Sequence, residues 1–297
     1  MIRQFTPLLF IIPLVAFFMG VLVYPFINMV YQGTLPPQDI LSTTADTITK
    51  LEWKHLSLKN MTLQNYLAVF RESYIRSTLL LSLGISSVVS VLSIVLCIGP
   101  AWLLVRREFR GKRLFRAILT LPMAFSGVII GFLAVIVIGR MGAIPLITGA
   151  LFGVPVAEAL AYSLTGLGLA YIWFQIPRAT LNLESAIRKF DWDLESAARS
   201  LGATQVQTFR YVLLPLLTPA IVSTMAVTFA VSMGSFGVAL LLLKRSSVLP
   251  LEIYTNVYQN LAFELAAALS VVLAVITVGV NYILRRYGEK HYAFAHR

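Results

Sequence analysis

The sequence predicts an all-α membrane protein with six transmembrane helices, on the grounds of its composition, its long charge-free runs and the distribution of its basic residues. It is 58% hydrophobic and 12% charged, whereas a soluble domain carries about 25% charged residues. A helix needs about 20 apolar residues to cross a bilayer. Six runs of about this length or more contain no Asp, Glu, Lys or Arg: 7–30, 77–105, 117–139, 159–177, 211–243 and 265–284.

The basic residues predict that both termini lie in the cytoplasm. Lys and Arg concentrate in the cytoplasmic loops of membrane proteins. With the amino terminus inside, the cytoplasmic segments hold sixteen basic residues and the exterior segments eight. The net charge of +11 therefore indicates membrane topology and attraction to anionic lipid, and not nucleic-acid binding. The cytoplasmic segments in this scheme are 1–6, 106–116, 178–210 and 285–297.

The first apolar run is predicted to stay in the protein as a membrane span. It is longer than the apolar core of a signal peptide, and Tyr24, Pro25 and Phe26 stand where a cleavage site would need small residues. The single cysteine, Cys97, lies within the second run. Neither it nor the three histidines have neighbours at ligand spacing, so no metal site is expected.

The cytoplasmic loop 178–210 contains a predicted short helix over residues 190–202. The loop is too long for a simple turn between two spans. Asp191 or Asp193 can accept the free N–H groups at the helix start, and Gly202 suits its end. Acids in the first turn and a base near the end, Asp193, Glu195 and Arg199, match the helix dipole.

This helix is predicted to bind a protein partner. A helix that lies on a lipid surface carries Lys and Arg on its polar face, but residues 191–198 carry acids and no base. Ala197 and Ala198 leave a face with little side-chain bulk, which permits close approach of another backbone. Apolar contacts are expected from Trp192, Leu194 and Leu201. A second short helix, 203–214, leads into Pro215 and the fifth span.

The same loop resembles the EAA signature of inner-membrane permease subunits of ABC importers. The matching residues are Ser196-Ala197-Ala198, Gly202, and Val212-x-Leu214-Pro215. Ser196 stands where the family usually has Glu, although Glu195 precedes it. The resemblance implies a MetI-like (type I importer) fold in which this helix is the coupling helix. It also implies that Ala197, Ala198 and Gly202 dock in an ATPase and that Pro215 forms the hinge into the fifth span.

The resemblance further implies the partners and the organisation of the chain. The expected partners are a dimer of ATP-binding cassette ATPases, a second permease subunit (related or identical), a periplasmic substrate-binding protein and membrane lipid, with no nucleic acid. Residues 1–76 would form the first span and a periplasmic segment, and 77–297 the permease domain with its coupling loop 178–214. The chain looks most similar to permeases for polyamines (spermidine and putrescine), ferric iron and sulfate, so a small solute of these or phosphonate-like classes is expected to cross the bacterial inner membrane.

The sequence contains no motif for chemistry of its own. It lacks the Gly-x-x-x-x-Gly-Lys-Ser/Thr phosphate loop, so ATP and Mg²⁺ are expected on the separate ATPase, and the chain is predicted not to be an enzyme. Alternating access is the expected mechanism, with Phe236 as a candidate gate. The polar candidates for the translocation path are Ser126, Gln175, Asn182, Ser232 and Ser235. These polar residues fit equally well as interhelical hydrogen bonds between packed spans.

Two other classes of protein fit a chain with these spans. A membrane channel would conduct without any ATPase. If the chain is a non-transport membrane scaffold, changes in the cytoplasmic loop would leave solute uptake unaffected. The predicted spans carry no central ionisable group, which disfavours coupling to protons or sodium.

Overall fold

A computed structural model of the chain describes residues 15, 17–36, 62–153, 160, 162–244 and 247–295. All regular secondary structure within these ranges is helical. The helices, with the bounds observed, are α1 Tyr24–Gly33, α2 Gln64–Arg71, α3 Ser73–Arg106, α4 Lys112–Thr120, α5 Gly127–Ile138, α6 Ala143–Phe152, α7 Leu164–Arg188, α8 Asp193–Ser200, α9 Gln205–Thr208, α10 Leu214–Met233, α11 Phe236–Leu242, α12 Leu249–Tyr258 and α13 Phe263–Ala295.

Four stretches within the described residues are helical, long and apolar enough to cross a membrane: Ser73–Arg106, Gly127–Phe152, Gln205–Met233 and Phe263–Gly288. The predicted all-α membrane class is therefore confirmed. Of the predicted first span, 7–30, the structure describes residue 15 and residues 17–30, which are helical, and this part is not one of the four stretches. The fourth charge-free run, 159–177, corresponds to the first part of α7. This part is helical, but α7 is not one of the four membrane-spanning candidates.

The contacts divide the chain into two compact units. The first comprises residues 1–77 and 252–275. Within it, the amide of Asn65 donates to the carbonyl oxygens of Gly33 and Leu35 at 3.1 and 2.7 Å. The hydroxyl of Tyr74 donates to the Glu252 carboxylate at 3.0 Å. These bonds attach the start of α2 to the end of α1, and the start of α3 to α12.

The second unit comprises residues 78–251 and 276–297 and contains most of the long helices. Its core has one apolar cluster around Ile130, Leu167 and Leu242, and a second around Cys97, Leu183 and Leu217. The first cluster joins α5, α7 and α11, and the second joins α3, α7 and α10. Helix α7 therefore lies between the others, which explains why it is extensively buried.

Two of the charge-free runs are broken helices. The run 117–139 is interrupted at a 3-10 turn, Leu121–Ala124, which contains Pro122, and α5 starts after Ser126. In the run 211–243, α10 ends at Met233 and α11 starts at Phe236, so the helix is broken at Gly234 and Ser235. Hydropathy does not detect such breaks, because the broken segments stay as apolar as the helices beside them.

Helices α5 and α11 pack with their backbones in close contact. A Cβ atom added at Gly237 would lie 2.7 Å from the Val128 nitrogen, and one added at Gly131 would lie 3.1 Å from the Val238 Cα. At Gly237 a Cβ would force the backbone of α5 to shift, and at Gly131 it would be tighter than an ordinary van der Waals contact. Glycine at these two positions therefore permits the close approach of α5 and α11.

Candidate functional site: the cytoplasmic helix and its anchor

The predicted cytoplasmic helix is present as α8, Asp193–Ser200, and is shorter than the predicted range 190–202. At its start, the Asp191 carboxylate accepts the N–H of Asp193 at 3.0 Å. At its end, Gly202 has a φ of +85°, and the N–H of Ala203 reaches the carbonyl of Ala198 at 3.1 Å. Gly202 thus ends the helix as predicted, since glycine adopts this backbone conformation without strain.

The helix is anchored by an ion pair that the sequence did not indicate. Glu195 is 8% exposed, and its Oε1 atom accepts a hydrogen bond from the Arg106 guanidinium at 2.9 Å, while its Oε2 atom lies 2.8 Å from the same nitrogen in an ion pair without a hydrogen bond. Arg199, one turn later on the same helix, lies 3.5 Å from the same carboxylate. Arg106 is the last residue of α3. The carboxylate of Glu195 therefore fixes α8 to the end of a membrane-spanning helix.

Aromatic rings complete this anchor. The guanidinium of Arg106 lies 4.3 Å from the centre of the Trp192 ring, in a cation–π contact. Trp102, one turn earlier on α3, contacts the rings of Trp192 and Phe209 edge to face, with centroids 5.6 and 5.9 Å apart. We define the Arg106 anchor as Trp102, Arg106, Trp192 and Glu195. It holds α8 from one side only.

The opposite side of α8 is exposed. Asp193, Ser196, Ala197 and Gly202 are all accessible, and Ala198 is half-buried. Leu201 is 90% exposed and Leu194 43%, so the apolar contacts expected of these two leucines are not made within the chain. A leucine left this exposed beside a small-residue face suits a partner protein. Trp192, by contrast, is packed as predicted.

Helix α7 continues well beyond the end of its apolar run at Pro177, and its last turns carry a second ion cluster. Glu184 is buried and accepts from Arg188 at 2.7 Å and from Arg116 of α4. Residues 178–188, at the start of the predicted loop, are therefore helical. The carboxylate of Glu184 joins α7 to α4, so the two helices are connected at this end.

After Gly202, the chain enters the next apolar segment almost without a break. The hydroxyl of Thr204 accepts the N–H of Gln207 at 3.3 Å, and the Gln207 side chain accepts the N–H of Thr204 at 2.8 Å. This reciprocal capping starts α9. A π-helical segment, Phe209–Leu213, then leads to α10, where Pro215 occupies the first turn. The predicted second helix is confirmed.

Of the candidate path residues, Gln175 and Ser232 are brought together. The Gln175 amide donates to the Ser232 hydroxyl at 3.0 Å and to the Thr228 carbonyl at 2.9 Å. Arg178 donates to the Gln175 oxygen at 3.0 Å. Sequence reasoning did not include Arg178 among the path residues, because it lies just outside a charge-free run.

The other candidates are dispersed. Ser126 and Asn182 are exposed, and Ser126 caps α5 by accepting the N–H of Ile129 at 3.5 Å. Ser235 and Phe236 are half-buried at the break between α10 and α11. The hydroxyl of Tyr171 donates to the Ser235 carbonyl there and thereby stabilises the break. Within the described ranges, no three His, Cys, Asp or Glu residues form a group that could hold a metal ion.

Residues 93–289 match the family described as "Binding-protein-dependent transport system inner membrane component". The chain is 33% identical to the molybdenum transport system permease protein ModB of Escherichia coli (strain K12), over 71% of this chain and 93% of that protein. It is 33% identical to the trehalose transport system permease protein SugB of Mycobacterium tuberculosis, over 66% of this chain and 65% of that protein. It is 29% identical to the sulfate transport system permease protein CysW of Synechocystis, over 72% of this chain and 79% of that protein.

The fold is shared with a solved transporter structure. A chain in the crystal structure of a bacterial alginate ABC transporter, in complex with an alginate pentasaccharide-bound periplasmic protein, superposes with a TM-score of 0.78 at 16% identity, over 98% of this chain and 96% of that chain. The identity is too low to indicate more than the fold. Together with the family match, it agrees with the resemblance of the loop to the EAA signature. The chain therefore belongs to the binding-protein-dependent transport system inner membrane components, and it is an inner-membrane permease subunit of an ABC importer.

Proposed function

We propose that the chain imports a small oxyanion by alternating access, driven by a separate ATPase that docks on the exposed side of α8. The observation that carries this proposal is the two-sided character of α8. One side is fixed to α3 by the Arg106 anchor, and the other presents Ala197, Gly202 and Leu201 without covering side chains.

The anchor explains how movement of α8 would reach the membrane. A partner that displaces α8 by a few ångströms also displaces Arg106, because the Glu195 carboxylate and the Trp192 ring both hold its guanidinium. Arg106 ends α3, a helix of 34 residues and about 51 Å in length. The ion pair would thereby couple the docking surface to a membrane-spanning helix. The continuous path from α9 into α10 supplies a second connection through Pro215.

The complete transporter would contain several chains. We propose six spans with both termini in the cytoplasm, a second permease subunit, a dimer of ATPases that hold ATP and Mg²⁺, and a periplasmic substrate-binding protein. One permease offers one coupling helix, and a two-lobed ATPase needs two. Of the path residues, Ser235 and the gate candidate Phe236, which are half-buried at the break between α10 and α11, would face the second permease in the assembly.

The proposed solute class rests on charge and on the named relatives. Molybdenum and sulfur both occur in neutral water as tetrahedral oxyanions, molybdate and sulfate. Arg178 is half-buried in α7 next to Gln175, and a cation of this kind attracts an anion. The acids buried nearest the cytoplasmic end, Glu184 and Glu195, are occupied by arginines, so they do not offer free carboxylates to a polyamine or a ferric ion.

Docking is tested by a size series at Ala197, which is more exposed than Ala198. Ala197→Arg places a long charged side chain on the docking face, and Ala197→Ser adds a single oxygen. Disruption at the centre of an interface costs about 3 kcal/mol, which is roughly a hundredfold loss of affinity. We expect Ala197→Arg to lose co-purification with the ATPase and solute uptake, and Ala197→Ser to keep both.

Thermal unfolding in detergent should be unchanged in both variants, because Ala197 contacts little within the chain. Normal ATPase association and uptake by Ala197→Arg would contradict the docking assignment. Uptake that persists without any ATPase would indicate a channel, and a chain whose loss leaves uptake intact would indicate a scaffold.

The solute is tested separately, by uptake of radiolabelled molybdate, sulfate and trehalose in cells with and without the chain. We expect chain-dependent uptake of one of the oxyanions and a large loss of that uptake in Arg178→Gln. Chain-dependent uptake of trehalose alone would refute the oxyanion proposal and leave the docking proposal standing.

A further inference from the structure

A basic hollow lies beside the start of α4, on the part of the chain that the charge distribution places in the cytoplasm. Its volume is about 690 Å³. Four basic side chains line it, together with one carboxylate: Lys112, Arg113, Arg116, Arg188 and Glu108. No part of the transport mechanism proposed above uses this hollow.

The acids near the hollow do not balance its bases. Lys112 pairs with Glu108 at 2.6 Å, while Arg116 and Arg188 share the single carboxylate of Glu184. Arg113 has no ion pair within the described part of the chain. Two of the four positive charges therefore remain uncompensated, and the hollow attracts an anion.

Hydrogen-bond donors are also left over at this place. The Nε atom of Arg116 is buried and has no partner among the described residues. Helix α4 starts after Gly111, which supplies no side-chain cap; the N–H of Lys112 donates to the Phe109 carbonyl at 3.2 Å, and the N–H groups of Arg113 and Leu114 that follow have no side-chain acceptor in the part of the chain that the structure describes. Unpaired donors at a helix start and on arginine are the groups that bind phosphate oxygens.

The other side of α4 carries exposed apolar residues. Leu114 is 65% exposed, Ile118 60% and Leu121 54%. Their spacing of four and three residues puts them along one side of the helix. A short helix with a basic side and an exposed apolar side is typical of helices that lie at the membrane interface. The ligand of the hollow should therefore have both an anionic group and hydrocarbon chains.

We propose that this hollow binds the phosphate headgroup of an anionic phospholipid. The phosphate would contact Arg113, Arg116 and Arg188, and the acyl chains would lie along Leu114 and Ile118. The proposal does not depend on the identity of the solute. Because Glu184 connects α7 to α4, a bound lipid would brace the cytoplasmic ends of both helices.

The test uses the purified full-length chain in detergent, titrated with phosphatidylglycerol and followed by native mass spectrometry. Arg113→Gln removes one lining charge without breaking an ion pair. Arg110→Gln is the matched control, because it removes the same charge from the same loop and does not line the hollow. A basic residue near an anionic lipid surface contributes enough to change affinity about fivefold, so we expect Arg113→Gln to bind about fivefold more weakly and Arg110→Gln to bind normally.

Two further arms identify the ligand. Phosphatidylcholine, which has no net charge, should not saturate the site, and Ile118→Gln should weaken phosphatidylglycerol binding. An equal loss in Arg113→Gln and Arg110→Gln would overturn the proposal in favour of general surface attraction. Saturable binding of inorganic phosphate, with no effect of Ile118→Gln on lipid binding, would overturn the lipid assignment and identify a soluble phosphate as the ligand. An absence of saturable binding would overturn the proposal altogether.

Discussion

Replacing Glu195 with Gln should release α8 from the end of α3 while leaving the helix itself intact. The Glu195 carboxylate accepts one hydrogen bond of 2.9 Å from Arg106, within an ion pair whose closest N···O distance is 2.8 Å. A hydrogen bond between charged groups contributes about 1.5–3 kcal/mol. The side chain of Glu195 is only 11% exposed, but that of Arg106 is 37% exposed, so solvent screens the pair in part. We therefore expect a loss of about 1–2 kcal/mol in the docking of α8, which is a five- to thirtyfold change in its local opening equilibrium.

Amide hydrogen exchange of residues 193–202 measures this opening directly. We expect Glu195→Gln to speed exchange there by a factor within that range, and ATP hydrolysis by the assembled transporter to continue with reduced transport per ATP. Asp193→Asn is the matched control, because Asp193 lies on the exposed side of the same helix and contributes only a helix-dipole effect of about 0.5 kcal/mol. A double-mutant cycle with Arg106→Gln isolates the pair itself.

Equal exchange in Glu195→Gln and Asp193→Asn, or additive effects of the Glu195 and Arg106 substitutions, would refute a role of the ion pair in holding α8. Either result would mean that the Trp102 and Trp192 rings hold α8 without help from the ion pair.

Three further predictions concern the core of the second unit. Glu184→Gln should destabilise the purified protein by about 1–2 kcal/mol, because it removes the buried carboxylate shared by Arg116 and Arg188, whose side chains are 42% and 51% exposed and therefore partly screened by solvent. Asp191→Asn, at an exposed acid, should leave thermal unfolding nearly unchanged. Gly237→Ala should lower the free energy of unfolding by about 1–3 kcal/mol, because it forces α11 away from α5. Gly279→Ala is the control and should be tolerated, since a Cβ atom there meets nothing within 4 Å. Equal unfolding temperatures of the two variants would contradict the close approach of α5 and α11. Gln175→Leu should lower the free energy of unfolding by about 1 kcal/mol, because its hydrogen bonds are lost. It should also lower solute uptake if Gln175 lines the translocation path. Unchanged uptake with lower stability would assign Gln175 to helix packing alone.

Much of the candidate site could be predicted from local sequence. The helix at α8, its acidic first turn and its end at Gly202 depend on residues within a dozen positions of one another, and capping rules report such short-range preferences. The break at Gly234 was likewise detectable from a glycine within an apolar run. The length of α7 could not be predicted from the sequence, because hydropathy indicates the environment that a segment prefers and not the residue at which its helix ends.

The sequence by itself determined that this chain is helical, lies in a membrane and carries a small acidic helix that ends at Gly202, since composition, charge-free length and helix capping are local properties. Only the tertiary structure decided which side of that helix is free. Arg106 and Glu195 are 89 residues apart, and Arg116 and Glu184 are 68 apart. Arg106 looked like a topology signal among five other basic residues, and a charge pattern does not reveal which base meets which acid. That pairing depends on how the helices pack, and it turns Glu195 inward and leaves Ala197 and Leu201 facing outward.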